Sequence, residues 1–525
     1  MKKLIKREWM CIGFCLVIAF AGLMICSRSS FLYPYNDWND ANSYFTMGKG
    51  MMNGLAIYRD LYDQKGPYLY LLYGIAYLIS HTTFRGVFLL EILTIGSFLY
   101  ICSRIMGLFM SRKWTYFLLP ILEIAVLTSK SFYFGGAAEE FCLPLLAGSL
   151  YLSIRWFKDH ACESPRIREL FYIGLMAGVV MLVKYTMLGL YAGLMLMMAG
   201  AFLGKRDIKG LFKGCGGFLA GMLLPVIPWL IYFGWKKGLS AWYECYIYNN
   251  IFFYSNFEQE ALGIGQRIYE LCKLLLWLFV DNPFFFGLIL IGMVFLLVSK
   301  QFRWFEKLNI IVMAGLLFLG IYVGGSNLPY YAIPLTVFAV TGLLPFGRLL
   351  DRISTGEGKR LPYAMTTVCV VLCMGLSYRL SMNTPFMQQS KEEYFLSRFQ
   401  KIVEEEENPT LLNIGCLDAG LYTAADIIPN CRFFQTNGIG LQEMFREQER
   451  YMEEGRIKFV LSRDDGGMTV PDHYELAAQE QYQWDGKEQG KRWLFIPTTR
   501  QSISAKRLGF LEFSTLTARL LPLMC

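Results

Sequence analysis

The chain has 525 residues, 54% of them hydrophobic and 18% charged, with 50 Lys and Arg against 42 Asp and Glu. A mean hydropathy of +0.36 means more apolar surface than one water-soluble core hides, so a bilayer must supply the rest of the solvent. The formal charge of +8 does not point to nucleic acid, because Lys and Arg fall in short clusters between apolar runs, where the positive-inside rule puts them.

The first apolar run, residues 10–26, follows Lys2, Lys3, Lys6 and Arg7 and is followed by Ser-Arg-Ser-Ser with no A-x-A site. It reads as a retained first span with the N-terminus in the cytoplasm. Apolar runs of helical length then give about eleven spans in a polytopic α-helical membrane protein, with the termini on opposite sides. A long polar and aromatic loop, residues 28–85, follows span 1 on the outer face. Within it residues 68–79 are apolar but too short to cross a hydrocarbon core of roughly 30 Å, and read as interfacial or re-entrant.

Downstream, Arg112 and Lys113 fall inside, residues 130–140 outside and residues 155–168 inside. Lys205, Arg206, Lys209 and Lys213 are inside, as are Arg303 and Lys307 and then Arg348, Arg352, Lys359 and Arg360; Lys236 and Lys237 are the exception. Residues 271–280 read as a short outer-face helix. Pairs of small residues at Gly174 and Gly178, Gly189 and Gly193, and Gly217 and Gly221 predict close helix crossings.

From about residue 383 Lys, Glu, Gln and Asp become frequent and apolar runs shorten to strand length. The organisation expected is a membrane module over 1–382, a small extracytoplasmic α/β domain over 383–500, and a tail over 501–525. The domain reads as helix 391–407, strand 411–414, helix 418–425, strand 432–435, helix 441–454, strand 458–461, and a hairpin of strands 474–484 and 491–496. It has no Gly-rich phosphate loop. The 14 cysteines are scattered, without metal-ligand spacing; Cys416 and Cys431 are placed to allow a disulfide.

The loop from Asn36 to Gly74 carries Asp37, Asp40, Asp60 and Asp63 with Lys49, Arg59 and Lys65, followed by Gly66-Pro67. Charges this dense beside a membrane need solvent, partners or a polar substrate; an ordinary hydrated loop satisfies the same pattern. A second outer loop ends in Glu139-Glu140 at the start of a helix, where two carboxylates also complement its dipole. Lys184, at the outer end of an apolar run, either reaches a lipid phosphate or snorkels to the interface. Asn249-Asn250 with Tyr248 and Tyr254, and residues 324–327 with Tyr330 and Tyr331, read as interfacial aromatic belts or as walls of a sugar pocket. The histidines are His81, His160 and His473, and Cys162 beside His160 stands alone, which argues against a transition-metal site. No cofactor is fixed by the sequence; a divalent ion held by carboxylates stays open.

An acid shortly after span 1, a helix ending in Met-Met-Asn-Gly, and Tyr58-Arg-Asp-Leu-Tyr-Asp-Gln-Lys-Gly-Pro67 leading into an apolar helix together resemble the GT-C glycosyltransferases. The likeness is to bacterial membrane enzymes related to protein O-mannosyltransferases and lipid A aminoarabinose transferases. It implies sugar transfer from a polyprenyl-phosphate donor to a cell-envelope glycan, lipid or protein acceptor at the outer face of the cytoplasmic membrane, with inversion. The acid after span 1 is the family's base or acceptor-orienting group; Asp40 matches it best and Asp37 is the alternative. An acceptor hydroxyl is a weak nucleophile, so a carboxylate within hydrogen-bond reach is needed to take its proton. Lys65 matches the Lys of the family's Lys-Pro-Pro segment, with Gly66 in place of the first Pro, and would stabilise charge on the leaving phosphate. Arg59 assists, or pairs with Asp60 or Asp63. Glu140, with Glu139 in reserve, would face the first-loop acid as acceptor or sugar ligand. The rival reading is a lipid or sugar transporter without chemistry, against which stand the long first loop and the lack of paired interrupted helices in matching halves.

Overall fold

The computed structural model describes residues 2–160, 166–254, 263–325, 327–354, 360–463, 470–484 and 487–498. Cys162, Ser326, Lys359, the tip of the expected hairpin at 485–486 and the tail 501–525 lie outside the described residues.

The first ten helices are α1 Lys2–Cys26, α2 Asn39–Met52, α3 Pro67–Ile79, α4 Arg85–Met106, α5 Arg112–Leu127, α6 Ala138–Phe141, α7 Leu143–His160, α8 Ile167–Met181, α9 Gly189–Gly204 and α10 Ile208–Leu223. Among the described residues seven helical segments are long and apolar enough to cross a membrane, and an eighth if the bent pair Ile264–Asp281 and Pro283–Val298 counts as one span. The chain is thus a multi-pass membrane protein. Of the further runs read as spans, α5 and α8 have 16 and 15 residues, short of the roughly 20 that an untilted crossing takes. Length alone therefore does not carry the count to eleven. The helix expected over 271–280 is longer, Ile264–Asp281, and the chain turns by 115° after it. Pro283 brings no N–H to continue the ladder, and the Asn282 side chain closes the helix on Leu278 O at 3.2 Å while accepting Ser131 N–H at 3.0 Å.

The small residues do what their spacing predicts. A Cβ on Gly174, Gly178 or Gly221 would lie 2.0–2.2 Å from a carbonyl oxygen of the facing helix, so α8 and α10 touch backbone to backbone. Gly189 does the same for α9, with Leu316 O at 2.0 Å across from it.

The first polar loop folds back as two short helices. α2 and α3 cross where Gly48 meets Gly74, whose nitrogen would be 2.4 Å from an added Cβ. The expected C-terminal elements are largely present. β1 Leu411–Ile414, β2 Phe459–Arg463, β3 Tyr474–Trp484 and β4 Lys487–Pro497 form one sheet in the order β1-β2-β4-β3, with β1 and β2 parallel and the other pairs antiparallel. The helix expected over 391–407 is split into a 3-10 turn, Lys391–Glu393, and a helix, Phe395–Glu404. No strand forms at 432–435. That segment spends its backbone on both sides instead: Phe434 O accepts Asn413 N–H at 3.0 Å, and Arg432 O accepts Tyr62 N–H at 2.8 Å. It therefore stitches the sheet unit to the first loop. Cys416 and Cys431 are both buried free thiols.

The glycine contacts give a direct test. Gly221→Val should lower the thermal midpoint of the detergent-solubilised chain, at a cost of about 1–3 kcal/mol or more. Gly13→Val, whose added Cβ meets nothing within 4 Å, should leave it unchanged.

Candidate functional site

The site begins with a backbone contact. Gly66 N–H donates to Val183 O at 3.0 Å and Tyr68 N–H to Leu182 O at 3.2 Å, so the segment before α3 lies along the break after α8. A Cβ on Gly66 would sit 2.0 Å from Leu182 O. Proline at 66 would add that carbon and remove the N–H, which is why glycine stands at this position.

The contact sets Lys65 beside Lys184. Both side chains line a cavity of about 280 Å³ whose walls also include Gln64, Asn250, Tyr254 and Tyr331. Lys65 is held by its backbone: Tyr58 Oη donates to its carbonyl at 2.6 Å, and its N–H donates to Tyr70 Oη at 2.8 Å, which in turn donates to Asp63 at 2.8 Å. Its ammonium has no hydrogen bond or ion pair among the described residues. Burial works against that charge, but Tyr254, Asp40, Asp63 and Glu139 outweigh it and hold the Lys65 pKa above the ordinary lysine value. Burial dominates at Lys184 and pushes its ammonium down to about 8, against the pull of Glu139. Lys184 pairs with Glu139 and lies 3.5 Å from the centroid of the Tyr331 ring, a cation–π contact.

Asp40 occupies the first turn of α2. Its Oδ2 accepts from Tyr330 at 2.5 Å and from Tyr44 at 3.3 Å. Trp38 stands edge-on to Tyr330 with centroids 5.0 Å apart, and Tyr133 is 6.2 Å from Tyr330, so the carboxylate sits against an aromatic wall. Asp40 and Glu139 each act electrostatically on both lysines. Two ammoniums and two carboxylates are thus gathered from α2, the segment before α3, α6 and the break after α8.

The adjacent glutamates turn apart. Glu139 meets Lys184, whereas Glu140 faces away, its Oε2 accepting Gly136 N–H at 2.8 Å. Burial and then the field of Glu91 hold the Glu140 carboxyl well above the usual range. Glu91, on α4, accepts from the Ser27 hydroxyl at 2.8 and 2.9 Å.

Asp37 and Arg59 are placed elsewhere. Asp37 pairs with the buried Arg28, whose guanidinium is sandwiched by Phe134 and Phe386 at 4.1 and 3.6 Å and donates to Asn383 at 3.2 Å. This joins the start of the first loop to the segment after the last membrane helix. Arg59 is 42% exposed, pairs with Asp60 at 2.7 Å and donates to Lys236 O. Lys236 donates to Gly54 O at 2.8 Å. The exception to the positive-inside rule therefore caps the first loop. Tyr44 is the residue on Asp40 that the sequence reading missed; of the two readings open for Tyr330 and Tyr331, burial at 3% and 4% exposure goes against an interfacial belt, and Tyr331 lines the cavity. The described residues hold no group of three or more His, Cys, Asp or Glu side chains placed to share a metal ion.

The multi-pass helices, the folded-back acidic first loop and the C-terminal sheet make up a fold that recurs in solved structures. Among solved structures the chain is similar to ArnT from Cupriavidus metallidurans bound to undecaprenyl phosphate, with a TM-score of 0.60 and 12% identity over 93% of this chain and 97% of that one. The apo state of the same protein gives 0.58, with 12% identity over 94% and 99%. The oligosaccharyltransferase of Archaeoglobus fulgidus in complex with Zn and sulfate gives 0.50, with 14% identity over 86% of this chain and 68% of that one. No family model matches the chain, and no curated protein does.

Gly66→Ala should force residues 65–68 off residues 182–184 and destabilise the chain by about 1–3 kcal/mol in a thermal melt. Arg59→Ala, which cuts an exposed pair, should shift the same melt by less than about 1 kcal/mol.

Proposed function

We propose that the chain is a membrane glycosyltransferase that moves a sugar from a polyprenyl-phosphate donor to an acceptor hydroxyl at the outer face of the membrane. The observation that carries this reading is that Lys65 and Lys184 line one cavity, with the Asp40 carboxylate close enough to act electrostatically on both. A phosphate is the anion that two ammoniums in a poorly solvated pocket suit best, and the mainly apolar surroundings suit a lipid chain. The fold shared with ArnT bound to undecaprenyl phosphate supports the same lipid class.

In the proposed step the acceptor oxygen attacks the anomeric carbon, the bond from that carbon to the phosphate oxygen breaks, and its electron pair leaves with the phosphate. Asp40 takes the acceptor proton, while Tyr330 and Tyr44 fix its carboxylate. Lys65 and Lys184 balance the charge that grows on the phosphate. Attack opposite the leaving group inverts the anomeric centre. Glu139, which already holds Lys184, is the better placed of the two glutamates for a polar ligand. In this reading the N-terminus is cytoplasmic, and residues 383–500 form an extracytoplasmic domain above the cavity. Glycan, lipid and protein acceptors all supply the hydroxyl that the step needs.

The test uses the full chain in lipid nanodiscs with a panel of undecaprenyl-phosphate sugars. Asp40→Asn should lower kcat by about 10²–10⁴-fold while leaving donor affinity within about threefold. Full turnover by that variant removes the base, and lipid moved without product would support the transporter instead. Because Lys184 is charged below about pH 8 and neutral above it, affinity for undecaprenyl phosphate should fall as the pH rises from 7 to 9. Lys184→Met should bind more weakly at pH 7 and lose that part of the pH dependence.

A further inference from the structure

Beyond its first turn, α2 is held by the C-terminal sheet unit. Ser43 donates to Gln435 Oε1 at 2.5 Å, Thr46 donates to Asp418 Oδ2 at 2.6 Å, and Lys49 Nζ donates to Tyr422 O and pairs with Asp426 Oδ1, both at 2.8 Å. Positions 40, 43, 46 and 49 follow one another at i, i+3 along a single ridge of the helix. Asp40 thus opens a ridge whose next three members are all gripped by residues 418–435.

Asp418 is fixed on its own side as firmly as on the other. Its N–H donates to Gln435 Oε1 at 2.8 Å, and its Oδ1 accepts Gly420 N–H at 2.9 Å. Gly420 has φ +99°, open to glycine and strained for other residues, and a Cβ there would be 3.2 Å from Asn42 Oδ1. Asp418 and Thr46 are both wholly buried. On the far side of α2, Gly48 is pressed against the α3 backbone. The helix is therefore clamped between a backbone and a carboxylate, with no room to slide or roll.

We propose that Asp418 is a positioning residue for the transfer reaction: through Thr46 it sets the roll and height of α2 and so holds the Asp40 carboxylate under Tyr330. The proposal rests on the reading of Asp40 as the base. Burial pushes the Asp418 carboxyl up to about 6, while Thr46, Gly420 N–H and Lys49 favour its charged form. The other groups facing it are Tyr422 and Cys416 on its own side, with Asp426 beyond Lys49. A leucine would fill such a place without the cost of burying a charge; an acid there is directional, and the direction is that of the Thr46 hydroxyl.

The experiment compares Asp418→Ala, Asp418→Asn and the near-isosteric Thr46→Val in the full chain in nanodiscs, measuring donor kinetics with undecaprenyl-phosphate sugars and amide hydrogen exchange over residues 39–52. Asp418→Ala and Thr46→Val should lower kcat by about 10- to 100-fold with donor KM within about threefold, as expected when a base is displaced by about 1 Å. Exchange in the first two turns of α2 should quicken at least tenfold, and Asp418→Asn, which keeps an oxygen for Thr46, should recover most of the activity. Full turnover by both Asp418→Ala and Thr46→Val, with Asp40→Asn inactive, overturns the positioning role alone. If Asp40→Asn itself retains turnover, the base reading falls, and the positioning of a base falls with it. Unchanged exchange in α2 overturns the clamp in either case. Thr46→Val supplies the measurement if Asp418→Ala does not fold.

Discussion

Two backbone hydrogen bonds, from Gly66 to Val183 and from Tyr68 to Leu182, tie the first polar loop to the break after α8, and the cavity depends on them. They bring two ammoniums to one enclosed space, an arrangement that costs energy wherever water is scarce. The protein offsets the repulsion with two carboxylates, Glu139 in contact with Lys184 and Asp40 within electrostatic range of both lysines. The two charges of each sign are therefore close to balanced, and under the proposed function a phosphate would compete with Glu139 for Lys184.

The polar atoms left over are informative as well. Among the described residues Glu139 Oε2, Glu140 Oε1 and Gln64 Nε2 are buried without a hydrogen-bond partner. Unsatisfied groups are rare inside folded chains because each costs about 1–3 kcal/mol. Glu139 lies in the cation-lined region, in contact with Lys184 through its other oxygen. Glu140 is different: it is paired in its field with Glu91 and buttresses the loop at Gly136, a structural duty that also explains why two adjacent acids diverge.

Much of the architecture was readable from the residues. Apolar run length, basic clusters and small-residue spacing gave the membrane class, the short apolar helix within the first polar loop and close helix approaches at the paired glycines, though not which helices meet there. Each is a local property of the chain and of its solvent. The sheet strands were legible for the same reason, except at 432–435, where extended residues bond to Asn413 on one side and Tyr62 on the other instead of joining the sheet. The resemblance pointed to Asp40, Lys65 and Glu140, with Glu139 in reserve, and the apolar run before it pointed to Lys184; the choice between Glu139 and Glu140 turns on side-chain direction within a four-residue helix, which spacing does not encode. Asp37 and Arg59 looked equivalent to their neighbours because exposure and partners such as Arg28 and Lys236 come from distant segments. Tyr330 stood in the sequence as either an interfacial tyrosine or a pocket wall, and its bond to Asp40, 290 residues away, is what no local pattern encodes.

The bond between Thr46 and Asp418 spans 372 residues of chain. At translation rates of about 5–20 residues per second, the ribosome needs roughly 20 to 75 s to reach the second partner after making the first. During that interval α2 has left the ribosome without the surface that later seats it. A chain that ends between residues 331 and 418 would therefore hold every residue of the cation-lined cavity but not the contact that seats α2.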